Sequence, residues 1–155
     1  MKQLAEMLAT VPFFTDLSPD ELQTLAGCGK NVGFESGERL FREGDAADTF
    51  FVVRHGSVAV ETFVPARGPM MIETIESGEV IGWSWLFDPY RWHFDARALT
   101  AVRATGFDGA CLRAKCEADP ALGYALMSRF AQVLIERLQW TRLRLLDLYG
   151  DVNRS

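Results

Sequence analysis

The stretch FVVRHGSVAVETFVPARGPMMIETI, residues 51–75, sets short apolar runs against turn-forming residues twice in quick succession. Phe51 and Val53, then Val58 and Val60, flank His55-Gly56-Ser57, a spacing that predicts a β-hairpin. Ala66-Arg67-Gly68-Pro69 predicts a second turn before a strand from Met71 to Ile75. The same rhythm extends outward in both directions. From Lys30 to about Leu112, Gly-Glu, Gly-Asp, His-Gly and Arg-Gly-Pro punctuate short apolar alternations at spacings near ten residues. Many short antiparallel strands in one block predict a sandwich, jelly roll or small barrel.

The flanks read as helix. Leu4, Leu8 and Val11 recur at helical spacing, and Ser18-Pro19-Asp20-Glu21 is a capping box with proline at the first helical position. A short helix from Pro19 to Ala26 is expected, closed by Gly27 and Gly29. At the other end Asp119-Pro120 starts a helix, and no Gly or Pro interrupts the chain between Tyr124 and Tyr149. Over residues 120–149 such a helix is about 45 Å long, more than a small β-domain can cover. The chain thus divides into N-terminal helices (1–29), a β-roll (30–112) and C-terminal helices (113–149) of one domain spanning 1–155.

Composition narrows the function. With 16 Lys+Arg against 21 Asp+Glu, the net charge of −5 argues against a phosphate backbone as the main partner. Residues 1–14 lack a signal-peptide pattern and no run approaches the roughly 20 apolar residues of a membrane helix, so a cytoplasmic protein without membrane association is expected. Cys28, Cys111 and Cys116 are odd in number with no C-x-x-C spacing, which predicts reduced, mostly buried thiols and no metal site. No Ser-His-Asp order, phosphate loop or H-E-x-x-H motif is present, so no catalytic residues and no enzyme activity are expected.

The long helix carries its own signal. Tyr124, Met127, Ala131, Leu134, Leu138, Thr141, Leu145 and Leu148 follow a strict 3-4 spacing, the seam of a two-stranded coiled coil. A second stripe, Leu122, Leu126, Phe130 and Val133, covers the first half only. One face can pack on the β-block while the seam meets another copy, predicting a homodimer through residues 120–149. Arg137, Arg142 and Arg144 read as a solvated rim with Glu136 and Asp147.

At this point the β-block resembles a known family. Gly37-Glu38, Gly44-Asp45, Phe51-Val52-Val53, Gly56-Ser57-Val58-Ala59-Val60 and Gly78-Glu79-Val80-Ile81-Gly82 look like the glycine framework of cyclic-nucleotide-binding domains. Residues 17–22 resemble that family's N-terminal helix, and Arg137-Leu-Gln-Trp-Thr141 resembles the long helix of catabolite activator protein-like regulators. The resemblance implies an eight-stranded double-stranded β-helix (jelly roll) with a long C-terminal dimerisation helix, in a ligand-sensing regulatory domain. Bacterial transcription factors of this kind continue into a helix-turn-helix. Only six residues follow Tyr149 here, so DNA binding by this chain is not expected, and a protein partner is.

The resemblance also locates the ligand cassette, Gly82, Trp83, Ser84, Trp85, Leu86, Arg91, Trp92 and His93. Family members place a carboxylate after the glycine to hold the ribose hydroxyl, and an arginine further on to pair with the cyclic phosphate. Here Trp83 follows Gly82, and the arginine position falls on Trp92 or, with a shift of one, Arg91; which of Arg91 and Arg97 enters the cassette is open. Six aromatics fall between residues 83 and 94. They predict either a pocket for a planar ligand, with the amides of Trp83 and Ser84 facing an anionic group, or a core filled with tryptophan. Cyclic AMP or cyclic GMP bound in the usual way is the weaker expectation; a genuine cyclic-nucleotide regulator and a ligand-free interaction module are the alternatives. His93 has no partner set for haem or a metal. Thr141 matches a long-helix residue that touches the base in the activator proteins, or simply packs in its heptad.

Overall fold

The computed structural model describes the backbone of residues 2–154 and the side chains of residues 3–147. Helix α1 (Lys2–Leu8) and a 3-10 turn at Pro12–Phe14 precede α2 (Pro19–Ala26). The capping box forms as expected: the Glu21 amide donates to Ser18 Oγ at 3.1 Å and the Ser18 amide donates to Glu21 Oε1 at 3.0 Å. Val11 falls outside α1, in the turn that leads to Pro12.

Eight strands follow: β1 (Gly29–Phe34), β2 (Arg39–Phe41), β3 (Thr49–His55), β4 (Val58–Val64), β5 (Gly68–Ile75), β6 (Val80–Ile81), β7 (Asp95–Ala98) and β8 (Val102–Asp108). They form two four-stranded antiparallel sheets, β1-β8-β3-β6 and β2-β7-β4-β5, the jelly roll expected from the turn rhythm. The β4–β5 hairpin across Ala66 and Arg67 is present, with Val64 paired to Gly68. The hairpin expected across His55-Gly56-Ser57 is not, because β3 and β4 belong to different sheets. Gly56, at φ +96°, carries the chain from one sheet to the other, and a Cβ there would lie 2.3 Å from the Ala101 carbonyl oxygen.

Strand β3 is buried on both faces of its sheet, which explains its unbroken apolar run Phe50-Phe51-Val52-Val53. Phe50, Val52, Val80 and Phe107 pack with the helices, against Leu8, Phe14, Leu25, Leu112, Leu126 and Phe130. Phe51, Val53, Ile81 and Ala104 face sheet two and meet Val58, Val60, Ile75, Ala96 and Ala98. The molecule therefore has two cores separated by one sheet.

Helix α3 (Gly109–Ala118) begins directly after β8, so the strand block ends at Asp108 and not at Leu112. Cys111 and Cys116 accordingly sit on a helix. The expectation of reduced thiols is also corrected: Cys28 and Cys111 form a disulfide, leaving Cys116 free among the described residues. Cys28 stands just before β1 and Cys111 just after β8, and the antiparallel pairing of these strands, Gly29 opposite Phe107, brings the two together. A separation of 83 residues hid this proximity.

Helix α4 (Pro120–Arg154) runs on from α3 for 35 residues. Leu122, Leu126 and Phe130 are buried under it, as the second stripe requires. The coiled-coil seam is open to solvent in the single chain: Tyr124 is 77%, Leu138 51% and Leu145 49% exposed. The side chain of Leu148, the last seam position, lies outside the described residues. Among the described residues no helix is long and apolar enough to cross a membrane.

Candidate functional site

Strand β6 ends at Ile81, and Gly82, at φ +99°, turns the chain into a 3-10 turn at Ser84–Leu86. The Asp88-Pro89-Tyr90 bend then returns it to β7, and the Tyr90 amide donates to the Phe87 carbonyl at 2.8 Å. This loop carries the residues expected to form the ligand cassette, and its three tryptophans go to three different places. Trp92 enters the core between the sheets, 3% exposed, and stacks on Phe41 with ring centroids 3.7 Å apart. Its ring also covers Gly82 so closely that a Cβ on that glycine would lie 2.6 Å from it. Trp85 enters the other core, fully buried against Phe50 and Phe130 at 5.7 and 5.8 Å. Trp83 is only half-buried, 5.8 Å from the Phe94 ring.

The cassette residues are thus not gathered round one cavity. Gly82 and Trp92 lie between the sheets with Phe94, Trp85 and Leu86 pack with the helices, and Trp83 touches both, meeting Phe94 and the helical core. Ser84 Oγ and Trp85 Nε1 are buried with no protein hydrogen-bond partner among the described residues. Arg91 is exposed and donates to the Gly44 carbonyl at 3.1 Å. His93 is exposed. Arg97 lies on the face of β7 opposite Ala96 and Ala98, in a bidentate pair with the buried Glu61 at 3.0 and 3.1 Å. That hydrogen bond and charge hold the Arg97 proton more firmly than usual. Neither Arg91 nor Arg97 enters the space between the sheets.

The guanidinium that does reach the cassette comes from the long helix. Arg137 sits over the Trp83 ring at 5.0 Å, donates to the Val80 carbonyl at 2.5 Å, and lies 3.6 Å from Glu73. Its side chain is 16% exposed, so it is not the solvated rim residue expected from its charge. Burial lowers its pKa, with Glu73 opposing. The signal was present in the spacing: Leu126, Phe130 and Val133 continue as Arg137, Trp140 and Arg144 along the inward face. Arg144 and Arg129 repeat the device, donating to the carbonyls of Ile72 and Thr15.

Between this face of α4 and the segments 12–16, 72–74 and 78–80 lies an open cleft of about 810 Å³. Arg129, Arg137 and Arg144 face Glu73, Glu79 and Asp16 across it, with Trp140 and Thr141 beside the arginines on α4. Thr141 is exposed and its hydroxyl donates to the Arg137 carbonyl at 2.9 Å. A smaller space of about 170 Å³ lies beside Trp92, Phe41 and Asp48. Among the described residues no cluster of three or more His, Cys, Asp or Glu is placed to hold a metal ion.

The cyclic nucleotide-binding domain model matches residues 31–119, more than half of the chain. The chain belongs to the cyclic nucleotide-binding domain family. It is 27% identical over 148 residues to the CRP-like cAMP-activated global transcriptional regulator of Mycobacterium tuberculosis, a match covering 95% of this chain and 64% of that protein. The chain thus spans less than two thirds of that relative. A putative cyclic nucleotide-binding protein of Geobacter metallireducens superposes with a TM-score of 0.78 at 29% identity, over 86% of this chain and 97% of that one. A cyclic nucleotide-binding domain of Methylobacillus flagellatus shares the fold, at TM-score 0.79 and 22% identity, over 94% of this chain and 82% of that one.

Proposed function

We propose that this chain is a non-enzymatic regulatory domain that acts as a homodimer through α4, with a ligand cassette closed to cyclic nucleotides bound in the usual way. The observation that carries the reading is Trp92. Its indole occupies the core between the sheets, stacked on Phe41 and pressed against Gly82, where the cassette of a nucleotide-binding member would need room for a cyclic phosphate. Arg91 faces solvent and Arg97 is committed to Glu61. A buried phosphate without a guanidinium fork loses its main compensation for desolvation.

The cleft beneath α4 is the remaining candidate for a sensed ligand. Its arginines and carboxylates offer polar groups of both signs, and Trp140 offers a planar surface. A ligand there would bridge α4 and β5–β6 and shift the seam presented to the second copy. The exposed seam of Tyr124, Met127, Leu138 and Leu145 is the apolar surface that dimerisation would cover.

The second reading, a cyclic-nucleotide regulator, is favoured by the similarity, over 95% of this chain, to the mycobacterial regulator, whose name describes it as cAMP-activated. Calorimetric titration of the nucleotide-stripped protein with cyclic AMP and cyclic GMP separates the two. No heat at millimolar nucleotide is expected. Micromolar binding would establish the second reading and show that Trp92 moves aside.

A further inference from the structure

The Cys28–Cys111 pair adds a covalent link where β1 and β8 already meet by strand pairing and where the Asp108 amide donates to the Cys28 carbonyl at 2.9 Å. Cys28 is 7% exposed in the helical core, whereas Cys111, in the first turn of α3, is half-buried and open to a small reagent. The α3 helix touches the cassette loop and the start of α4. Its Gly109 amide donates to the Asp48 carbonyl at 2.7 Å, and its Leu112 is fully buried. Arg113 donates to the Trp85 carbonyl at 2.5 Å and stands 4.3 Å above the Tyr90 ring, gripping the cassette loop at both ends. Its C-terminal end leads into α4, where Cys116 packs beside Gly123.

We propose that Cys28 and Cys111 form a thiol–disulfide exchange site for low-molecular-weight disulfides, and that its closure fixes α3 and, through Arg113, the cassette loop. In the closing reaction the Cys111 thiolate attacks one sulfur of a small disulfide, whose S–S bond breaks and releases one small thiolate. The Cys28 thiolate then attacks the Cys111 sulfur of the mixed disulfide, forming the protein S–S bond and releasing the second. Two protein thiols are oxidised and one small disulfide is reduced to two thiols, with the two cysteine protons passing to the departing thiolates. Access sets the order, because Cys111 is reachable and Cys28 is not. Cys116 stays outside the exchange: it lies five positions along α3 from Cys111, on the side turned to α4, and burial keeps it as the thiol.

The experiment equilibrates the full chain in glutathione buffers from fully reduced to fully oxidised. After acid quenching and denaturation, free thiols are counted by alkylation and mass spectrometry. The expected result is a transition from three thiols to one across the buffer series, with Cys116→Ser preserving the transition and Cys111→Ser abolishing it. The oxidised form should melt higher by roughly 10 °C, given a closed loop of 83 residues. Amide exchange of residues 84–90 and 109–118 should slow on closure. The double variant Cys28→Ala/Cys111→Ala provides the permanently open form if a single serine variant fails to fold. Three thiols in every buffer, one thiol in every buffer, or closure without slower exchange at 84–90 would each overturn the proposal.

Discussion

Replacing Trp92 with alanine tests whether the cassette is closed by packing. The indole is 3% exposed, stacked on Phe41 at 3.7 Å and within reach of Phe94 at 6.4 Å. A buried tryptophan removes about 200 Å² from water, worth about 5 kcal/mol at 25 cal/mol per Å². The remaining alanine keeps a small part of this, so a loss of about 4 kcal/mol is expected, within the range for such truncations. Against a total stability of 5–15 kcal/mol this leaves a folded but weakened protein. Urea unfolding followed by far-ultraviolet circular dichroism should show the midpoint falling by about 2 M, for an m-value of about 2 kcal/mol/M. Added indole should recover part of the loss by entering the vacated space, as apolar cavities accept apolar guests. A midpoint shift below about 0.5 M, with no response to indole, would mean that Trp92 does not fill the core, and the closed-cassette reasoning would fail.

Other expectations follow from the same geometry. Arg137→Ala removes the cation over Trp83 and the contacts to Val80 and Glu73, so amide exchange over residues 134–147 should quicken while α2 is unaffected; unchanged exchange would show that Arg137 does not hold α4. The pair Leu138→Glu/Leu145→Glu places like charges along the seam and should convert a dimer to a monomer in sedimentation velocity, without loss of helicity. Burial raises the Cys116 thiol above its ordinary value, with Asp119 and Glu117 adding to it. The folded state therefore holds the proton longer: this group's contribution to stability is complete below about pH 8.5 and is lost as the pH rises through the higher folded value. In the oxidised protein at pH 8, iodoacetamide should label Cys116 more slowly than free cysteine, and equal rates would contradict the burial.

Local chemistry was legible along the chain. The Ser18–Glu21 box, the β4–β5 turn and the inward stripe Leu122, Leu126 and Phe130 of α4 all follow from patterns within a few residues, and all three appear as read. Period-two alternation likewise identified the β-roll, because a strand with one apolar face reports its burial whatever its neighbour. What alternation cannot report is which strand lies alongside. Hence the misplaced hairpin at Gly56, where the chain changes sheets, and the unseen meeting of Cys28 with Cys111 across β1 and β8. The charge of Arg137 pointed to solvent although its spacing continued the inward stripe, and the packing of α4 against β6 draws it over Trp83.

The cassette divides in the same way. Its position after Gly82 and its wealth of aromatics were written in the sequence, together with the missing carboxylate at Trp83. That Trp92 fills one core, Trp85 another and Trp83 meets an arginine from the long helix was decided by tertiary structure alone. Composition determines how much aromatic surface must leave water, whereas the two faces of a shared sheet determine where each ring can go.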